Sequence, residues 1–172
     1  MKMVFCDIDG TLYRDNEQIS PLNKEALTRF HDAGGQVVYC TGRHILEMNK
    51  ILEQDGYPFD YLVLNNGGAI LDSNKETLYE KHIEQSIGLD ILQWGVEANM
   101  FVHMCDGKNS YGCFNHQSFA HSDMGNIPIP DDYMTLMKES PSFQIISLNQ
   151  EDNQIDRINI IKKRIEDKYG DD

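Results

Sequence analysis

The sequence predicts an α/β protein, with a three-stranded parallel core in residues 1–72 followed by an α+β unit in residues 73–172. Three observations carry this prediction. From residue 3 to residue 64, short apolar runs alternate with amphipathic stretches across short links, and strand–helix–strand–helix–strand order builds a parallel sheet. Beyond residue 64 that alternation gives way to hairpin-like and strand-like runs. The length of 172 residues suits one compact domain, or one domain with a small insert.

Taken in order, residues 3–6 read as a short buried strand. Ser20 then offers an N-cap and Pro21 a first helical residue, and the helix that follows carries Leu22, Ala26, Leu27 and Phe30 on one face. Gly34 and Gly35 stop it. QVVYC (residues 36–40) is a second strand, TGR (41–43) leads into a helix over 44–55, and Gly56 and Pro58 end that helix. YLVL (61–64) is a third strand. After NNGG (65–68), a hairpin turns at residues 73–75, a helix covers 84–98, and strands follow at 100–105 and 110–116. Residues 117–130 are polar and hold Gly125, Pro128 and Pro130, which reads as loop. A strand at 142–148 and a helix over 153–169, with Ile155, Ile158, Ile161 and Ile165 in one stripe, complete the chain.

Composition narrows the function classes. The net charge is −13, so a polyanion is repelled and nucleic acid is not an expected partner. No apolar run is long enough to span a bilayer and nothing resembles a signal peptide, so no membrane partner is expected. The four cysteines, Cys6, Cys40, Cys105 and Cys113, form no C-x-x-C pair, which fits reduced thiols in a cytoplasmic protein. Cys105, Cys113, His116 and His121 match no standard zinc spacing and read as scattered residues of the second unit.

The chemistry concentrates where the first strand ends. Asp7 and Asp9 are two residues apart, so an extended backbone points both carboxylates to one side. The carboxyl end of a strand is where open α/β sheets bind ligands. Gly10 lets the chain turn there, and Thr11 adds a hydroxyl and an amide. Such a pair suits phosphoryl transfer, with one carboxylate attacking phosphorus and the other serving as acid and then base. A divalent ion, Mg²⁺ above all, would offset the repulsion between nucleophile and phosphate.

DIDGTL (residues 7–12) and TGR (41–43) resemble the first two motifs of the haloacid dehalogenase superfamily. The resemblance implies a Rossmann-like core of which this chain holds the N-terminal part. It also implies that Asp7 is the nucleophile, that Asp9 is the general acid/base, and that the Thr41 hydroxyl holds a phosphoryl oxygen. Metal ligation would fall to the Asp7 carboxylate and the Asp9 carbonyl. Members that cleave carbon–halogen bonds lack the second acid, whereas phosphatases and phosphomutases carry it. Gly10, Thr11, Gly42 and Arg43 are the expected phosphate-binding residues, although Arg43 reads equally as a solvated helix-start residue and Thr41 taken alone as a helix cap. Residues 7 and 41 leave room between them for one helix and one strand only, so the insert after the third strand resembles the type II cap, in its IIB form, of Cof-type phosphatases. Asn66 and Gly67 then match a segment beside the active site, or form a glycine-assisted turn.

The family's basic residue and its later acidic G-D-x-x-N-D-like motif have no counterpart in residues 1–172. GDD (residues 170–172) follows an amphipathic helix rather than a strand and reads as an acidic terminus. The sequence therefore reads as a truncated or fragmentary phosphatase whose first strand is an open edge, impaired alone and open to self-association through that edge. The expected substrate is a small phosphorylated metabolite, such as a sugar phosphate or a phosphorylated cofactor. A non-catalytic pseudo-enzyme or binding module and a phosphomutase are the alternatives.

Overall fold

A parallel sheet fixes the ends of three strands side by side, and that arrangement positions everything that follows. The computed structural model describes residues 2–13, 18–107, 110–113, 142–149 and 155–170. Strands β1 (Met3–Asp7), β2 (Gln36–Cys40) and β3 (Tyr61–Leu64) run parallel, linked by helices α1 (Pro21–Asp32) and α2 (Ile45–Asp55). Asp7 pairs with Cys40, and Cys40 with Val63, so the three carboxyl ends align. Strands β4 (Ala69–Asp72) and β5 (Thr77–Glu80) extend the sheet antiparallel, in the order β1-β2-β3-β4-β5. The Asp72 carboxylate holds the hairpin turn by accepting from the Asn74 and Glu76 amides at 2.8 and 2.9 Å.

Local chemistry sets the helix boundaries. Ser20 caps α1 through a bond from the Asn23 amide to its Oγ, with Pro21 at the first helical position. Gly56 ends α2 in the left-handed conformation at φ 60°. Both helices add to one cluster, in which Leu27, Met48, Ile51 and Leu52 meet Ile8, Val37, Tyr39, Leu62, Leu64, Ala69 and Leu71. Full burial of side chains such as Met48 and Leu62, both 0% exposed, stabilises by roughly 1.5–3 kcal/mol each.

Strand alternation sends Met3, Phe5 and Asp7 to the other face. Phe5 is 64% exposed there, and among the described residues β1 is hydrogen-bonded to β2 alone. The expected open edge is thus present, and its central side chain is a large apolar one.

Contacts divide the chain into two compact units, residues 1–81 and 82–172. The sequence places the boundary at 72/73, inside the hairpin turn. Both hairpin strands stay with the first unit because β4 is bonded to β3, and the Lys81 amide bonds the Gly68 carbonyl at 2.8 Å.

The second unit is α+β. Its elements are β6 (Ile83–Glu84), α3 (Gln85–Glu97), β7 (Phe101–Cys105), β8 (Ser110–Cys113), β9 (Ser142–Phe143), β10 (Ile145–Asn149) and α4 (Ile155–Tyr169). Strands β10, β7 and β8 form an antiparallel sheet, and β6 pairs with β9. The strand expected over 142–148 breaks at Gln144, whose amide bonds the Cys105 carbonyl at 2.7 Å. Its first two residues pair with β6 and the remainder with β7. Leu92, Val102, Met104 and Phe143 form the buried core. Helix α4 is tied to α3 by Arg164 on Glu97 at 3.0 Å and by Lys168 and the Tyr169 hydroxyl on Asp90. The loop expected over 117–130 and the strand residues 114–116 lie outside the described residues. Among the described residues, no helix is long and apolar enough to cross a membrane.

Candidate active site

The site is built where β1, β2 and β3 end. Ladder bonding of β1 stops at Asp7, but the in–out alternation continues for two residues: Ile8 is 0% exposed between two exposed acids. Ile8 anchors the loop, because its carbonyl accepts from the amides of Thr11 at 3.3 Å and Tyr13 at 2.8 Å. Gly10 sits at φ 76°, a left-handed conformation that a side chain rarely adopts, and its amide bonds the Tyr13 carbonyl at 2.8 Å. Thr11 also donates its hydroxyl to Asp7 Oδ2 at 3.0 Å, so both its donors act within the loop and hold the Asp7 carboxylate in place.

Thr41 follows β2 and is 6% exposed. Its amide bonds the Val63 carbonyl at 2.9 Å, and its carbonyl accepts from the Asn66 amide at 3.2 Å. Its hydroxyl accepts from the Arg43 amide at 3.1 Å and lies near enough to the Asp9 carboxylate to lower its pKa. Thr41 is not the helix cap. That role belongs to His44, whose Nδ1 accepts from the Leu46 amide at 3.2 Å while the Glu47 carboxylate accepts from the His44 amide at 3.3 Å. Accepting at Nδ1 requires an unprotonated nitrogen there, and burial lowers the His44 pKa below 6.5. The hydroxyl of Thr41 is thereby left to face Asp9 rather than the helix end.

Arg43 reaches back across 34 residues to Asp9. Its Nε donates to Oδ1 and Oδ2 at 3.2 and 2.9 Å, and its Nη2 donates to Oδ1 at 2.7 Å. This fork holds the Asp9 carboxyl below the usual carboxylate range, against the opposing effect of partial burial, and the Thr41 hydroxyl adds to the lowering. Burial raises the Cys40 thiol pKa, and the neighbouring Asp7 carboxylate raises it further.

The segment after β3 closes the third side. Asn66 adopts a left-handed φ of 54°, and Gly67 follows at 95°. A Cβ on Gly42 would come within 3.0 Å of Asn66 Oδ1, so the carboxamide lies directly over Gly42. The structure therefore brings Asp9, Thr41, Gly42, Arg43 and Asn66 together through hydrogen bonds and close approach, with Asp7 and Thr11 joined on the adjacent strand end. Gly10 and Gly67 act through backbone conformation. The contact of Asn66 with Gly42 has no local signal in the sequence, whereas Glu47, three residues after His44, is the local signal of a capping box.

Asp7 and Asp9 offer hard oxygen donors of the kind Mg²⁺ takes together with water and phosphate oxygens. Among the described residues, no group of three or more His, Cys, Asp or Glu is placed to hold a metal ion. The two acids thus fit a magnesium ion that keeps several waters, not an all-protein cage. Of the four residues weighed for zinc, the Cys113 side chain, His116 and His121 lie outside the described residues.

A sequence profile of haloacid dehalogenase-like hydrolases matches residues 4–172. The chain is 27% identical over 124 residues to the 5-amino-6-(5-phospho-D-ribitylamino)uracil phosphatase of Bacillus subtilis, covering 72% of this chain and 42% of that protein. It is 31% identical over 98 residues to the HMP-PP phosphatase of Yersinia pestis, covering 57% of this chain and 36% of that protein. A solved structure from Thermotoga maritima superposes with a TM-score of 0.75 at 16% identity, covering 96% of this chain and 63% of the other, a likeness of fold. The chain spans about two fifths of the length of the curated relatives it matches.

Proposed function

The chain belongs to the haloacid dehalogenase-like hydrolase family, and on that premise we propose that it is the catalytic N-terminal part of a Mg²⁺-dependent phosphomonoester hydrolase. The observation that carries the reading is the convergence of Asp7, Asp9 and Thr41 on adjoining strand ends, with Arg43 beside them. Asp7 attacks phosphorus, forming a bond to a carboxylate oxygen as the bond to the leaving alcohol breaks. Asp9 gives its proton to the leaving oxygen, then takes one from the water that cleaves the aspartyl-phosphate. The Thr41 hydroxyl and the Arg43 guanidinium hold phosphoryl oxygens. The Asp7 carboxylate and the Asp9 carbonyl would hold Mg²⁺, which would supply the positive charge that offsets the repulsion between nucleophile and phosphate.

The second unit serves as the cap that selects a small phosphorylated metabolite, in keeping with the phosphorylated compounds in its relatives' names. The open β1 edge pairs with another polypeptide, a second copy in the simplest case, and the support is the exposed Phe5 on a strand paired along one side among the described residues. A cytoplasmic location is supported by the free thiols of Cys6, Cys40 and Cys105.

One observation favours a second reading, a non-catalytic binding module: the Arg43 fork is closed on Asp9, the acid that hydrolysis needs at the leaving oxygen. Turnover of a phosphomonoester panel with and without magnesium, on wild type and Asp7→Asn, separates the two. Magnesium-dependent hydrolysis lost in the variant supports the hydrolase. Phosphate binding without turnover supports the binding module, and isomerisation of a hexose phosphate in place of hydrolysis identifies a mutase.

A further inference from the structure

The Arg43 fork closes on the wrong partner for a phosphate-binding residue. Three donor–acceptor contacts of 2.7–3.2 Å commit its Nε and Nη2 to Asp9, the acid that the proposed mechanism needs at the leaving oxygen. Carboxylate and phosphate present the same spacing of oxygens to a guanidinium, so either satisfies the fork. The backbone of Arg43 is held independently: its amide is bonded to Thr41 Oγ1 at 3.1 Å, and its carbonyl accepts from the Asn65 amide at 3.1 Å. The side chain can therefore pivot while the strand ends stay fixed. The ion pair is accessible to an incoming anion, with side-chain exposures of 36% for Arg43 and 53% for Asp9.

We propose that Arg43 is an exchangeable phosphate clamp, holding Asp9 in the free protein and transferring its fork to phosphoryl oxygens when a phosphate binds. This rests on the reading of the site as a phosphate site. The exchange makes Asp9 a competitor for the clamp. Phosphate affinity is then reduced by the fraction of protein in which the fork is closed on Asp9. It also ties release of the Asp9 carboxylate to occupancy of the site.

A double-mutant cycle on inorganic phosphate binding, followed by calorimetry in magnesium buffer, tests this. Asp9→Asn removes the competing carboxylate and leaves the main-chain carbonyl in place. It tightens phosphate binding about tenfold in the Arg43 background. The same substitution also removes a negative charge that repels phosphate, and that part is independent of Arg43. In the Arg43→Gln background the gain from Asp9→Asn therefore falls to within about twofold of none. A gain that persists undiminished with Gln at position 43 overturns the exchange, as does no gain in the Arg43 background, or no phosphate binding by any variant. If Arg43→Gln does not fold, Arg43→Lys, which keeps the charge without the fork, closes the cycle; a reduced gain supports the exchange and an undiminished one overturns it. An Arg43-dependent gain in a protein without turnover leaves the clamp standing and removes the hydrolase. Turnover through Asp7 with a gain independent of Arg43 does the reverse.

Discussion

Gly88→Ala tests the packing of the second unit on a single contact. A Cβ built on Gly88 would lie 2.3 Å from Cδ2 and 2.4 Å from Cε2 of Phe143. Carbon atoms at rest sit about 3.5–4.0 Å apart, so the ring would have to retreat by more than about 1 Å. Phe143 is 0% exposed in a core with Leu92, Val102 and Met104, and it has no open space to enter. Overpacking of this kind costs about 1–3 kcal/mol. Against it stands a gain of about 1 kcal/mol from replacing glycine inside helix α3. The net expectation is a loss of up to about 2 kcal/mol, or a fall in melting temperature of roughly 8–16 °C for a unit of this size. The single tryptophan, Trp94, lies on α3 itself, so its fluorescence in urea reports this unit separately from the other. Adding Phe143→Leu trims the ring and should recover part of the loss, giving a favourable coupling between the two changes. A Gly88→Ala protein more stable than wild type by about the helix-propensity gain, with no coupling to position 143, would refute the reasoning.

Other perturbations read the first unit. His44 has its pKa lowered by burial, so its contribution to stability is complete above pH 6.5 and is lost as pH falls below that value. His44→Asn keeps a capping acceptor without the titration, and the slope of melting temperature against pH in that window should flatten, the change being at most about 1.4 kcal/mol per pH unit. Asp60 Oδ2 accepts from the amide of Val37, a residue that is 0% exposed, at 2.8 Å. Asp60→Ala should cost about 1–3 kcal/mol in urea unfolding, and Asp60→Asn much less, because the carboxamide oxygen can still accept. Phe5→Lys places a charge at the centre of the open β1 edge, and sedimentation velocity should show concentration-dependent association in wild type that the variant lacks.

The parallel core was legible because its signals are local. Each strand–helix step carries its own apolar run, and Val37, Tyr39, Leu62 and Leu64 share one cluster by alternation, while Val38 is buried on the other face. Asp7 and Asp9 were legible for the same reason, since two acids flanking a buried Ile8 need nothing beyond period-two geometry. What escaped depends on partners distant in sequence. The two-residue strands β6 and β9 exist only through each other, 60 residues apart, and the break at Gln144 follows from switching between two partner strands. Gly88 and Gly95 lie inside α3, where glycine by itself disfavours a helix. They are clearances for Phe143 and Val102, residues of other elements. Within the site, the role of Arg43 stayed open because a helix-start arginine acquires meaning only once Asp9, 34 residues earlier, is seen in its fork.

In the proposed reaction Asp7 carries the phosphoryl group. Intact-protein and peptide mass spectrometry after acid quench of the wild-type chain, mixed with magnesium and a phosphomonoester that it turns over, addresses this directly. A phosphoryl adduct is expected on the peptide bearing Asp7 and absent from Asp7→Asn; with an aryl phosphate whose leaving group departs without protonation, it should accumulate in Asp9→Asn, whose water step lacks its base. Steady magnesium-dependent turnover with no adduct at Asp7, and with Asp7→Asn as active as wild type, would contradict it.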